Sequence, residues 1–483
     1  MYSIIHTYMP TRKHPTKTAP PRPRSAPKPV PPGPARPNPR QLLACFLNLL
    51  PRSQLWRLAS LRKLKFYDRL FNPVVTLWYF IFQRLHCDST LQAALADALG
   101  GGADRLRHGL SKALRSLATT ALSDARQRLP LAFLQEVLGL QARRILGLDP
   151  QAKWRDLPLR LMDGSTVRLR PFGDIPRRFP PHRNQSRRPA YWCLMRVVVL
   201  FCVHTGAALG CAAGALSASE QVLAAGFIMD NPGRFLYIGD RNFGIFRIAQ
   251  AARAAGAEVL LRLTHQRARR LLGRSLQPGV FDLNWSPTRH DQQQEGCSSA
   301  PVRGRLLVVQ VRRPGFRAQT LCLFTSLDAG YPERELVDLY GLRWHIELNL
   351  RYLKTQMRLT QLECKSAAMA EKEWVAGLLA YNLIRAAMLC AALQAGCSPL
   401  TLSFSAARRH LQCWLKKFGK RQTLYLRDWK TLLVRIGKSR TPRRRRCRPP
   451  EPRAQRYVRQ SFPPLFGSRA KARRQIKKYQ SKS

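Results

Sequence analysis

The chain has 483 residues, enough for two or three domains and a sizeable buried core. Its 83 Lys and Arg against 27 Asp and Glu give a formal net charge of +56, which points to a polyanionic partner, nucleic acid first; with 45% hydrophobic residues a folded body must carry part of that charge. Residues 1–9 show no secretory signal, the apolar stretches 193–216 and 376–396 are broken by Arg196, His204, Asn382 and Arg385 and read as core rather than membrane spans, and twelve cysteines without a CxxC pair or zinc spacing read as reduced structural thiols.

Residues 1–40 hold twelve prolines, eight Lys or Arg and no acid, the composition of a disordered, partly polyproline-like basic arm. Residues 41–150 are rich in Leu, Ala and Arg at helical spacing, with Leu55, Leu58, Leu61 and Leu64 three apart. They predict a bundle of short amphipathic helices, either a DNA-end-binding module or a helical cap on the next domain. From about 155 the texture turns to strands. LPLRLMDGSTVRL (157–169) suggests a hairpin around a DGS turn, and 197–216 suggests two further strands. Residues 217–227 read as a serine-capped helix and 234–244 as a buried strand ending at Gly239-Asp240. Next come a helix, AEVLLRLT, and the strands RLLVVQVRR and QTLCLFTSL. PERELVDLYGLRWHIELNLRYLKTQM (332–357) predicts one long helix, and a second, apolar helix covers about 370–395. This alternation predicts a mixed α/β domain over 155–400 with a β-rich insertion at about 257–325. Residues 401–483 read as a basic C-terminal tail; 416–483 alone carry a net +22, so after subtracting +8 for the arm, +26 remains on 41–415. Basic character therefore belongs to the body as well as the ends, and Arg443–Arg446 reads as a solvated phosphate-attracting run.

Where acids are scarce, acids at the ends of apolar strands stand out. Asp163 and Asp240 both stand there, although Asp-Gly turns and strand-end caps use the same residue. Asp230, in a DNPG turn, and Asp282 resemble them less. At roughly 100° per residue, Tyr340, Arg343, Glu347, Arg351 and Lys354 fall on one polar stripe of the long helix, with Leu342, Ile346, Leu350, Leu353 and Met357 clustered beside it as the core face. That stripe reads either as a salt-bridged solvent face, since Arg343, Glu347 and Arg351 are four apart, or as a metal-binding carboxylate among phosphate-binding cations.

Tyr340-x2-Arg343-x3-Glu347-x6-Lys354 resembles the Y-R-E-K signature of the bacterial insertion-sequence transposases of family 4. LECKSAAMAEKE and LAYNLIRAAM come after it as in that family, and LMDGS and IGDRNF stand upstream where its two aspartates belong. The likeness covers roughly residues 60–395. It departs at Asn242, where a glycine is frequent, and at the two basic ends.

The resemblance implies an RNase H-like DDE transposase with Asp163, Asp240 and Glu347 as the catalytic and metal-binding triad, served by two Mg²⁺ (or Mn²⁺) ions per active site. Two divalent ions suit phosphodiester displacement, and hard ions take oxygen ligands. It further implies Tyr340, Arg343, Arg351 and Lys354 on DNA phosphates. Trp285 in the insertion is a candidate for stacking on a flipped base or, equally, a core tryptophan. The implied activity is metal-dependent cleavage and strand transfer at the ends of an insertion sequence (cut-and-paste transposition). The alternative is a decayed, non-cutting DNA-binding derivative. Expected partners are double-stranded DNA, as terminal inverted repeats and target, and a second copy of the chain on DNA, in the bacterial cytoplasm near the nucleoid and without a membrane.

Overall fold

The computed structural model describes residues 37–64, 70–86, 88–149, 153–183, 189–293, 299–311, 319–420, 426–441 and a few positions within 468–475. The basic arm up to residue 36, the Arg443–Arg446 run and nearly all of the tail beyond it lie outside the described residues. The chain divides into two units, Met1–Thr441 and Pro442–Ser483, and the first holds every named helix and strand.

Among the described residues seven helices come first: α1 (Pro39–Leu47), α2 (Arg52–Leu61), α3 (Pro73–Leu85), α4 (Leu91–Leu99), α5 (Leu110–Ala113), α6 (Thr120–Arg128) and α7 (Leu131–Leu148). Their starts are written locally. Asn38 accepts from the Arg40 N–H at 2.9 Å while the Gln41 side chain accepts from the Asn38 N–H at 3.3 Å, a reciprocal cap just ahead of Pro39. Asn72 caps α3 by accepting from the Val75 N–H at 3.0 Å. The apolar α3 is buried almost all round, with Val75, Tyr79 and Ile81 fully enclosed.

The second part holds β1 (Lys153–Trp154), β2 (Leu157–Leu169), α8 (Ile175–Arg178), β3 (Pro181–Arg183), β4 (Pro189–Cys202), β5 (Ala208–Ala215), α9 (Glu220–Met229), β6 (Leu236–Gly239), α10 (Phe246–Ala254), β7 (Glu258–Arg262), α11 (His265–Leu272), β8 (Gly279–Trp285), α12 (Arg289–Gln292), β9 (Val302–Val311) and β10 (Gln319–Thr325). Then come α13 (Glu333–Gly341), α14 (Trp344–Arg351), a π-helical turn (Tyr352–Gln356), β11 (Gln361–Leu362), α15 (Ala367–Ala395), a 3₁₀ turn (Pro399–Thr401), α16 (Phe404–Lys420) and α17 (Leu426–Lys438). The result is a mixed α/β structure around one large sheet. Its core order is β5-β4-β2-β6-β7, with β4 antiparallel to both β5 and β2, and with β2, β6 and β7 mutually parallel. The strands of the expected insertion do not stand apart: β10 pairs antiparallel with β7, and β9 and β8 extend the same sheet beyond it.

Three local expectations are corrected. Residues 157–169 form no hairpin but a single strand, β2, because Gly164 keeps negative φ and Asp163 and Gly164 continue the ladder opposite Val199 and Val198. The helix expected over 332–357 is interrupted on both sides of Glu347. The N–H groups of Leu342, Arg343, His345 and Ile346 bond three residues back, a tightened turn, whereas the Met357 N–H bonds five back to Tyr352. The chain beyond 400 does not begin as a tail, since α16 and α17 pack on α15 and bury Trp414, Trp429, Leu432 and Ile436.

The centre of the molecule is α15, started by Ser366, whose hydroxyl accepts from the Met369 N–H at 3.3 Å, and ended by Gly396 at φ +61°. It is long and apolar enough to cross a membrane, but α3, α7, α16, α17 and β5 enclose it. The residues that interrupt its apolar run are tied to neighbours. Asn382 bonds both the N–H and the carbonyl of Ala208 at 2.8 Å. Arg385 donates to the Tyr381 hydroxyl at 2.7 Å and to Asn349 Oδ1, among the rings of Tyr352, Tyr381 and Phe404. Glu373 pairs with Arg84 of α3 and with Arg126 of α6, the latter at 2.5 Å, riveting the helical part to the sheet-bearing part. The nine described cysteines are all free.

Candidate functional site

Register brings two aspartates together. Parallel pairing of β2 with β6 ends at Leu161 opposite Ile238, and Asp163 and Asp240 each stand two residues further on; Asp240 lies just past the end of β6, whereas Asp163, expected at a strand end, lies in the middle of β2, which runs on beside β4. Gly239 lets β6 close here, because a Cβ on it would lie 2.8 Å from the Phe243 Cβ and 3.0 Å from a Leu261 methyl. The Gly164 N–H donates to Asp163 Oδ1 and the Asn242 N–H to Asp240 Oδ1, both at 2.8 Å.

Charge accumulates around the pair. Burial pushes the Asp163 carboxyl up to about 6; the Gly164 N–H and Arg343 pull against the rise, and the charges of Asp240 and Glu220 add to it. Glu220, first residue of α9, is also raised by burial and by Asp240, against Arg196, the Asn242 amide and Lys354. Arg343, at the break between α13 and α14, reaches both sides. It pairs with Glu347 at 3.1 Å, and although burial works against its charge, Tyr340, Glu347 and Asp240 hold it protonated above the ordinary value. Tyr340 is only 6% exposed, and burial raises its hydroxyl against Arg343 and Arg262. The site is therefore an acidic centre (Asp163, Asp240, Glu220 and, across Arg343, Glu347) ringed by Arg196, Arg262, Arg343 and Lys354.

The candidate residues fall into two groups. Asp163, Asp240, Arg343 and Tyr340 come together, and Lys354, exposed in the π turn, faces Glu220 electrostatically. Glu347, half exposed, turns to Arg343 and is not among the charges acting on Asp163. Arg351 is exposed on the same helix, its guanidinium 5.9 Å from the Tyr352 ring. The stacking role considered for Trp285 is corrected: the side chain is 3% exposed, its ring edge-on to Phe324 at 4.8 Å and Phe246 at 6.2 Å inside the core, with no face open to a base. Sequence reasoning missed Glu220, Arg196 and Arg262. Glu220 read only as the first turn of a capped helix, a cap the structure contains (Ser219 Oγ accepts from the Val222 N–H at 3.2 Å), while the arginines were lost among many.

For a divalent cation the donor chemistry suits, being all carboxylate oxygen. Asp163 and Asp240 fit such an ion: a buried carboxylate opposed by like charges is the group a cation most favours in its ionised form. The full triad does not yet fit, since among the described residues no group of three or more Asp, Glu, His or Cys side chains is gathered closely enough to hold an ion.

Comparisons with known proteins agree with the signature. Residues 154–383 match the family model of the transposase DDE domain. Over 300 residues the chain is 28% identical to the transposase InsG of insertion sequence element IS4 of Escherichia coli (strain K12), a match covering 60% of this chain and 65% of that protein. Among solved structures it is similar to the piggyBac transposase in its synaptic complex with hairpin DNA, at 12% identity and a TM-score of 0.40, over 82% of this chain and 85% of that one. Over residues 154–383 the chain is thus similar to transposase DDE domains, and over 300 residues to a transposase of insertion sequence element IS4. The match stops short of two thirds of the length of the curated relative.

Proposed function

We propose that the protein is a transposase that binds the ends of its insertion sequence and catalyses divalent-metal-dependent DNA strand cleavage and strand transfer, working in the bacterial cytoplasm. The observation that carries this reading is the convergence of Asp163, in the middle of β2, and Asp240, just after β6, where the parallel pairing of these two strands ends, beside a helix that offers Glu347 and Arg343. The strand order β5-β4-β2-β6-β7, antiparallel then parallel, supports an RNase H-like catalytic domain.

In this reading Asp163 and Asp240 would hold a divalent ion, and Glu347 would join them if Arg343 were drawn to a DNA phosphate. Mg²⁺ or Mn²⁺ held there would supply Lewis-acid chemistry for the attacking and leaving oxygens. The protein's own work is positioning. Arg343, Lys354 and Arg196 ring the acids with positive charge that draws the DNA backbone in, and Tyr340 packs beneath Arg343, its ring 5.9 Å from the guanidinium. Arg385, through Asn349, fastens α14 to the core so that Glu347 approaches from a fixed helix. Two DNA ends and a transfer step favour a homodimer on DNA.

The test is strand cleavage of a labelled duplex bearing the element's end, with and without Mg²⁺, for wild type and Glu347→Ala. Mg²⁺-dependent nicking at the element boundary, lost in the variant, is the expected result. Tight binding without cleavage under either condition would make the protein a non-cutting DNA-binding derivative and end the catalytic claim.

A further inference from the structure

We propose that Glu220 and Asn242 are positioning residues for the aspartate pair: the Glu220 carboxylate, lodged over the bare Cα of Gly164, holds the Asn242 side chain, and Asn242 holds the turn that carries Asp240. This rests on the transposase reading and adds residues that its signature does not contain.

The contacts form one continuous path. Asn242 Nδ2 donates to Glu220 Oε2 at 2.6 Å, and Gln221 Nε2 donates to Asn242 Oδ1 at 2.5 Å and to the Asn242 carbonyl at 3.1 Å. Both ends of the Asn242 side chain are thus held by the first turn of α9, and its N–H is free to donate to Asp240 Oδ1. The other end of the path lies on β2. A Cβ at position 164 would stand 2.1 Å from the Glu220 carboxyl carbon and 2.4 and 2.5 Å from its oxygens, so the carboxylate occupies the space a side chain would need. Gly164 is the residue whose N–H donates to Asp163 Oδ1. One helix start therefore touches the backbone beside each aspartate. Charge alone would not put Glu220 there, since it opposes the ionisation of Asp163. Hydrogen bonding accounts for the placement, with Arg196 and Lys354 balancing the charge.

Four variants test this: E220A, N242A, G164A and E220Q. G164A displaces only the mobile end of the Glu220 side chain, at a position where negative φ accepts alanine. Two readouts are taken: amide hydrogen exchange of the 240–243 segment in the DNA-free protein, and single-turnover Mn²⁺-dependent cleavage of the end duplex. E220A, N242A and G164A should each speed exchange at 240–243 and slow cleavage by about 10- to 100-fold, the usual cost of losing a residue that orients a metal-binding group. The double variant E220A/N242A should be no slower than the worse single one, because the path is broken once. E220Q keeps an oxygen acceptor and should recover most of what E220A loses. Unchanged exchange in all three variants would overturn the proposal. So would E220Q as slow as E220A with N242A near wild type, which would assign Glu220 a role through its charge. If the wild type cleaves nothing, the transposase reading fails while the exchange pattern still decides the positioning claim.

Discussion

Asp163→Asn removes one charge and almost nothing else, because asparagine keeps an oxygen that can accept the Gly164 N–H. Its effect on stability can be worked out. The Asp163 carboxyl rises from 3.8 to about 6 on folding, through burial and then through the charges of Asp240 and Glu220. At 1.36 kcal/mol per pH unit, holding it ionised in the folded chain costs about 3 kcal/mol. The folded value is above the unfolded one, so between about pH 4 and pH 6 the native state binds more protons and stability falls as pH rises; above about 6 the whole penalty is present. Asparagine has no such penalty. D163N should therefore be more stable than wild type by up to about 3 kcal/mol at pH 7.5, with the gain vanishing near pH 4, while cleavage is abolished. Urea unfolding of the DNA-free protein in EDTA, from pH 4 to pH 8, reads the difference directly. Mg²⁺ should then stabilise the wild type at pH 7.5 and leave D163N unmoved. Equal stabilities at pH 7.5, or a difference that does not change with pH, would refute the electrostatic account of the site.

Glu373→Gln should destabilise by about 3–5 kcal/mol, since it strands Arg84 and Arg126 in the interface between the helical part and α15. Burial raises that carboxyl but the two arginines outweigh it and hold it below its ordinary 4.5, so in chemical denaturation the deficit should be full above pH 4.5 and shrink as the pH falls below it. Trp285→Ala should cost about 3–5 kcal/mol of stability, and cleavage of the end duplex should fall only with the folded fraction; loss of cleavage in a variant of unchanged melting temperature would reopen the stacking role. Asn349→Ala leaves the buried Arg385 short of an acceptor and should cost about 1–3 kcal/mol, seen as a lower melting temperature, and should slow cleavage by loosening the helix that carries Glu347.

How much could be read from the chain alone depends on how local each cause is. The serine cap read for 217–227 is local chemistry, and α9 begins at Glu220 with Ser219 as its cap, whereas the Asn38 cap starts α1 at Pro39, inside the stretch expected to be a disordered arm. Asp163 and Asp240 were legible for a similar reason, since few acids interrupt apolar runs here, although only Asp240 stands at a strand end. The hairpin at 157–169 misled because Asp-Gly is turn chemistry only when the flanking strands pair with each other, and in this fold both halves of β2 pair with β4 instead. Likewise a helical wheel assumes uniform pitch. Tyr340 and Glu347 share a face on an ideal helix, but the tightened turn at 342–346 leaves Tyr340 buried and Glu347 half exposed.

Glu220 illustrates a different limit. Its partners are Asn242, 22 residues on, and the space above Gly164, 56 residues back, so nothing at its own position marks it. Asn242 was visible only as a departure from an expected glycine, and Gly164 only as half of a supposed turn. The three become intelligible together: a glycine leaves room on β2, a carboxylate from α9 fills it, and an asparagine after β6 takes the hydrogen bond. A glycine at 242 would leave the carboxylate with no side-chain amide to hold and the Asp240 turn with only its backbone bond. If E220A and N242A behave as proposed, the asparagine at 242 is the partner that Glu220 needs, and the position where this chain departs from the signature joins the site rather than counting against it.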